Sequence, residues 1–86
     1  MTSFENIRIT KHSIDRLRQR WKLLYGYPAP FHAVKLIRSL LASSRLKRIT
    51  SDVAFYSNYG FEFVIRNGAL VTITIELNQY KYLNAA

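Results

Sequence analysis

One stretch of the chain, Ile9 to Arg20, combines residue types and a spacing that could do chemistry. In a helix of about 100° per residue, Arg16 and Arg20 lie about 40° and 80° around from His12, one and two turns along. Imidazole titrates near neutral pH, and guanidinium offers several donors in a planar fork. The three side chains could therefore act as a base beside a phosphate clamp.

In RNA cleavage, His12 would remove the proton from a ribose 2′-hydroxyl, while Arg16 and Arg20 would stabilise the charge on the adjacent phosphate. The alternative is a solvated or capping histidine beside two arginines that only keep the helix surface soluble. A second histidine, His32, is a reserve base only. The residue pattern alone leaves both interpretations of the stretch open.

Charge indicates the class of partner. The 86 residues include 13 Lys and Arg against 5 Asp and Glu, a formal net charge of +8. Such an excess favours a polyanionic partner: RNA or another nucleic acid first, and an acidic protein second. The candidate nucleic-acid-binding cations are Lys11, Arg18, Lys35, Arg38, Arg45, Lys47 and Arg48. The tyrosines that could stack on bases are Tyr56, Tyr59, Tyr80 and Tyr82.

Several classes of protein are excluded by composition. The chain has no cysteine, and its two histidines and five carboxylates show no spacing typical of a metal site, so we expect neither a metal nor a cofactor. No apolar run approaches the roughly 20 residues that span a bilayer, and residues 1–6 lack the features of a signal peptide. We expect no membrane association and a cytoplasmic location.

The first half of the chain predicts two helices. Thr10 fits the N-cap of a helix from Lys11 to about Tyr25, with Gly26 at its C-terminal end. Prolines then break the chain, and Pro30 suits the first position of a second helix that runs from Phe31 to about Ser43. A short edge strand between Phe4 and Ile9 precedes them.

The second half predicts four strands by its period-two pattern. Their expected extents are residues 45–50, 53–57, 61–66 and 69–76. Asn67-Gly68 is a strong hairpin signal, so we expect an antiparallel meander. Alternation puts Phe61, Phe63 and Ile65, with Val71, Ile73 and Ile75, on the face that receives the helices. Gln79 to Leu83 is either a last half-strand or a tail.

The fold class is therefore α+β in a single domain of residues 1–86. Two N-terminal helices are expected to pack on one face of an antiparallel meander of four or five strands.

The order of elements and several quoted residues resemble a known family. These are Ile9-Thr-Lys-His12 with Arg16 and Arg20, and the closing stretch from Phe63 to Thr72. They are similar to the opening helix and closing hairpin of the DUF4258 proteins, which are related to RelE-like toxins of the barnase-EndoU-colicin-RelE fold group. The resemblance implies a RelE-like fold and a metal-independent endoribonuclease of toxin type, often paired with an antitoxin. It also implies that Thr72 joins the three helix residues as a site residue.

Three functions remain in competition at this point. The first is RNA binding with metal-independent cleavage, and the second is a non-catalytic nucleic-acid-binding module of the same fold. The third is a small regulatory or inhibitory protein that docks its basic face on an acidic partner such as an antitoxin. Whether the protein is an enzyme, and what its oligomeric state is, are not decided by the residues.

Overall fold

The computed structural model describes residues 4–76, which form two helices on one face of a five-stranded mixed sheet. The predicted α+β class is confirmed at this level. The elements in chain order are β1 Arg8–Ile9, α1 Lys11–Tyr25, α2 Ala33–Ala42, β2 Arg45–Thr50, β3 Val53–Asn58, β4 Phe61–Arg66 and β5 Ala69–Ile75. The predicted half-strand at Gln79 to Leu83 lies outside the described residues.

Helix α1 begins and ends where the sequence predicts. The Thr10 hydroxyl accepts a hydrogen bond from the Ser13 amide at 3.1 Å and donates one to the Leu70 carbonyl at 2.8 Å. Thr10 therefore caps the helix and also ties its start to β5. At the other end, Gly26 has a φ of 80° and donates its N–H to the Lys22 carbonyl.

Helix α2 begins two residues later than predicted. His32 is its N-cap, with a φ of −89° and a ψ of 72° outside the helical region, and Ala33 is the first helical residue. The buried stripe of α2 is Ala33, Ile37 and Leu41, at a spacing of four. Phe31 lies off this stripe and is exposed, so a longer helix would bury no additional apolar side chain.

The sheet has the order β1-β5-β4-β3-β2, and its last four strands form the predicted antiparallel meander. Asn67 and Gly68 both have positive φ, as the hairpin prediction requires. The expectation of a wholly antiparallel sheet is wrong, because β1 pairs with β5 in parallel. Arg8 lies beside Ala69 and Ile9 beside Leu70, so the two strands run in the same direction. The bond from the Thr10 hydroxyl to the Leu70 carbonyl holds the chain beside β5 as it enters α1.

The core lies between the helices and the sheet and includes Leu17, Ile37, Phe61 and Phe63, all fully buried. The prediction for Val71 is wrong. A register shift between Val64 and Ile65 places one additional residue on β5, so Leu70 is fully buried and Val71 is 36% exposed. A β-bulge of this kind shifts the alternation by one residue, which the period-two pattern does not reveal.

The two helices cover different strands. Helix α1 packs along β5, while α2 contacts β3 nearer the other edge of the sheet. The flank of α1 that bears Ile14 and Arg18 therefore faces α2, and the flank that bears His12 and Arg16 faces the β1–β5 edge. Neither helix in the described part has the length and apolar content needed to cross a lipid bilayer.

Candidate functional site

A groove of about 670 Å³ lies between α1 and α2 and is open to solvent. We call it the α1/α2 groove. Its charged lining consists of four cations and one carboxylate, with His32 and an exposed Phe31 at its rim. The lining cations are Lys11, Arg18, Lys35 and Arg38, and the carboxylate is Asp15. Four of the seven cations proposed for nucleic-acid binding thus meet in one groove.

Within the described part of the chain, these four cations form no ion pair. Within residues 4–76, every ion pair closer than 4 Å involves other basic residues, and Asp15 is not paired with Arg18 one turn away. The N-terminus of α2 adds the positive end of its helix dipole to the groove. The first turn of α2 contains no acidic residue, and the His32 side chain does not cap it, so neither offsets the dipole. The groove is therefore a concave, positively charged surface suited to anions.

Arg38 differs from the other three cations. Its Nη1 donates to the backbone carbonyls of Phe4 and Glu5, each at 3.3 Å, and so fastens the N-terminal segment against α2. Lys11, Arg18 and Lys35 are the cations whose change should affect the groove and little else.

The histidine–arginine row, defined as His12, Arg16 and Arg20, lies on the opposite flank of α1. Arg16 donates its Nε proton to His12 Nε2 at 3.3 Å, and Arg16 and Arg20 both donate to Gln19 Oε1, at 2.6 and 3.2 Å. The predicted clustering of the three side chains is thus present in the described structure. In this contact the Nε2 atom of His12 is the acceptor.

The inner end of this row contains two donors without an acceptor. Arg20 Nε and the indole Nε1 of Trp21 are buried and have no hydrogen-bond partner among residues 4–76. A buried unsatisfied donor costs about 1–3 kcal/mol. Arg20 is half-buried, and its Nη1 donates to Gln19. Solvent exposure therefore decreases along the row from the exposed His12 to Arg20.

Thr72 does not join the row. It pairs directly with Val64, which alternates with the buried Phe63 and Ile65 on β4. Residues of a strand point to alternate faces, so Thr72 lies on the face of the sheet opposite α1. The four residues proposed as catalytic are therefore split between a helix flank and the far side of the sheet.

That far side, the open sheet face, contains the rest of the predicted basic surface. Lys47 contacts Glu62 at 3.4 Å and Glu76 at 3.2 Å, and Arg48 contacts Glu62 at 3.3 Å. Arg48 also lies 3.9 Å above the Phe55 ring. Only Arg45, at the start of β2, has no ion pair within the described residues, so most of the charge in the 45–48 run is neutralised.

The open sheet face and the end of α1 each contain one group whose pKa is clearly shifted. Hydrogen bonding to Glu76 is the largest cause that raises the pKa of Lys47, and the Glu62 carboxylate adds to it. At the end of α1, Tyr25 donates its hydroxyl to the Tyr59 carbonyl at 2.6 Å. Burial raises the pKa of Tyr25 to about 12, with smaller contributions from Tyr59 and Tyr27.

Two of the tyrosines proposed for base stacking lie in the described residues and make ring contacts. Tyr56 is half-buried and packs edge-on against Phe4 at 5.0 Å, whereas Tyr59 contacts Tyr25 and Trp21 and keeps 54% of its surface exposed. Tyr80 and Tyr82 lie outside the described residues.

No family model, curated protein or solved structure was found to match the chain. The resemblance to DUF4258 and RelE-like toxins therefore stays a prediction. Among residues 4–76, no three His, Asp or Glu side chains form a group that could hold a metal ion.

Sequence reasoning missed two contributors to the groove. The sequence pattern places Phe31 in the body of the second helix and does not indicate that Asp15 faces the groove. One signal for Phe31 was present, since it lies outside the spacing of four that Ala33, Ile37 and Leu41 share. An aromatic residue next to a proline and off the apolar stripe has no core position to fill.

Proposed function

We propose that the protein binds RNA through the α1/α2 groove. The proposal rests on the convergence of four cations from two helices around a single carboxylate, with no ion pair to any of them among residues 4–76. Cations of this kind neutralise phosphates and release the counterions condensed on the nucleic acid. The uncapped N-terminus of α2 favours anions at the same place.

The test is a salt titration. Fluorescence anisotropy of a labelled single-stranded RNA should show binding that weakens steeply between low and physiological salt. Lys35→Ala should weaken binding and reduce the slope of log K against log salt by about 0.7, the contribution of one phosphate contact in a single strand.

A matched control is Arg66→Ala on β4. Arg66 is exposed and paired with Asp52 at 3.2 Å, so its removal lowers the net charge equally without touching the groove. Equal losses for Lys35→Ala and Arg66→Ala would mean that total charge is responsible and that the groove is not the binding surface.

Metal-independent RNA cleavage at the histidine–arginine row is the second candidate function. The specific observation in its favour is the contact between Arg16 Nε and His12 Nε2, which places a guanidinium beside an exposed imidazole. For His12 to act as base, Nε2 must exchange Arg16 for the 2′-hydroxyl and take its proton, while the guanidinium contacts the phosphate. The 2′-oxygen then bonds to phosphorus as the bond from phosphorus to the 5′-oxygen of the next nucleotide breaks, and that oxygen takes a proton from water. Thr72, on the opposite sheet face, has no place in this step.

The test for cleavage is His12→Ala. The variant should abolish RNA cleavage while leaving RNA affinity within a few-fold, because His12 lies outside the groove. Cleavage that persists in the variant would remove His12 from the mechanism. The toxin role and the acidic antitoxin that the resemblance implies stay predictions. The toxin role requires that expression arrests bacterial growth and that His12→Ala relieves the arrest.

A further inference from the structure

Phe31 is the most exposed of the large apolar side chains among the described residues, with 88% of its surface accessible. Single exposed apolar residues are common on protein surfaces and need no functional explanation in themselves. Phe31 differs from the others in its position, because it lines the α1/α2 groove together with cations that form no ion pair within residues 4–76.

A second, smaller depression of about 340 Å³ adjoins the groove at this residue. Phe31 and Arg18 line both depressions, so they form the ridge between them. The second depression adds Lys22, whereas Lys11 and Lys35 line the groove. Cations thus lie on both sides of the Phe31 ring, spaced along one continuous surface that an extended polyanion could follow.

The position of the Phe31 backbone is fixed by its neighbours. Pro30 restricts the chain before it, and the Phe31 carbonyl accepts the amide of Ala33 at 3.1 Å. The ring meets His32 nearly at a right angle, with centroids 5.4 Å apart. This contact leaves most of the ring accessible to a planar ligand that stacks on it.

We propose that Phe31 is a base-stacking residue and that it makes the α1/α2 groove prefer single-stranded RNA over duplex RNA. The inference rests on the proposed RNA-binding function and specifies its substrate class. Bases within a duplex are already stacked on their neighbours, whereas bases of a single strand are free to stack on an aromatic side chain while flanking cations hold the phosphates. Arg18, adjacent to Phe31 in both depressions, would hold the phosphate next to the stacked base.

The experiment compares Phe31→Ala with the wild-type protein on a 12-nucleotide single-stranded RNA and on the same sequence as a duplex. Phe31→Ala should weaken single-strand binding by about 5- to 100-fold, the usual effect of losing one stacked base. Its salt slope should stay unchanged because no phosphate contact is lost. Duplex binding should stay within about twofold.

Two further variants sharpen the test. Phe31→Trp should retain single-strand affinity, and its exposed indole should be quenched by the RNA, whereas the native Trp21 is buried. Ile49→Ala removes another exposed apolar side chain, on β2 and away from the groove, and should change nothing.

Each remaining outcome overturns a defined claim. If Phe31→Ala binds single-stranded RNA like the wild type while Lys35→Ala binds it weakly, the stacking role of Phe31 is overturned. RNA binding through the α1/α2 groove then stands. Equal weakening of single-strand and duplex binding also overturns the stacking role. Absence of RNA binding by the wild-type protein overturns the function and this inference together.

Discussion

Four cations line the α1/α2 groove and four others lie on β2 and β4 of the open sheet face, yet the two sets differ in what they contact. The four groove cations share the lining with one carboxylate, Asp15, and none of them forms an ion pair within the described residues. On β2 and β4, three of the four cations form ion pairs, and their partners are Glu62, Glu76 and Asp52. The paired cations are Lys47, Arg48 and Arg66, and Arg45 forms no ion pair within the described residues. The two sets contain the same number of cations but differ in how many of them pair with a carboxylate within residues 4–76.

The difference shows that a run of basic residues is a poor guide to a binding surface. Arg45 to Arg48 is the densest basic run in the sequence, but strand pairing brings Glu62 and Glu76 beneath it. Lys11, Arg18 and Lys35 are scattered in sequence, but two helices bring them to one groove. Binding potential follows the arrangement of opposite charges in space.

The largest expected effect comes from neutralising two cations in each region. Arg18→Gln with Lys35→Gln should weaken RNA binding by about tenfold or more at low salt, because two phosphate contacts are lost. Arg45→Gln with Arg48→Gln lowers the net charge equally and should weaken it by about twofold or less. Fluorescence anisotropy measures both. A larger loss from the second pair would identify β2 as the binding surface and reverse the comparison.

A smaller effect is expected from removing the carboxylate that neutralises the sheet. Glu62→Gln keeps the shape of the side chain but releases Arg48 and leaves Lys47 paired only with Glu76. Low-salt RNA affinity should rise by about two- to threefold with a steeper salt slope, and the free energy of unfolding should fall by about 1 kcal/mol or less. Chemical denaturation supplies the second measurement. Unchanged affinity would show that the sheet pairs do not mask a second basic surface.

The smallest effect concerns alkaline pH. The pKa of Lys47 is raised in the folded state, so its stabilising contribution is complete below its ordinary value of 10.5 and is lost as pH rises through the folded value. Tyr25, raised from 10.0 to about 12, loses its contribution over the same range. In a Tyr25→Phe background, Lys47→Gln should further flatten the fall in stability above pH 10.5, measured by urea unfolding. The same fall with and without Lys47 would contradict this.

Local sequence signals predicted most element boundaries. Thr10 and Gly26 mark the ends of α1, and Asn67-Gly68 marks the last hairpin, because capping and positive-φ turns depend on a few adjacent residues. The clustering of His12, Arg16 and Arg20 was equally predictable, since helical periodicity alone puts them on one flank. These features need no knowledge of distant parts of the chain.

Tertiary structure decided everything that depends on contacts distant in sequence. The bulge that exposes Val71, the parallel pairing of β1 with β5, and the separation of Thr72 from His12 all follow from strand register and from which sheet face α1 covers. The sequence by itself determined that the protein is strongly basic and α+β. Only packing determined which of its cations meet carboxylates and which meet one another across a groove, because electrostatic potential depends on distances that chain order does not contain.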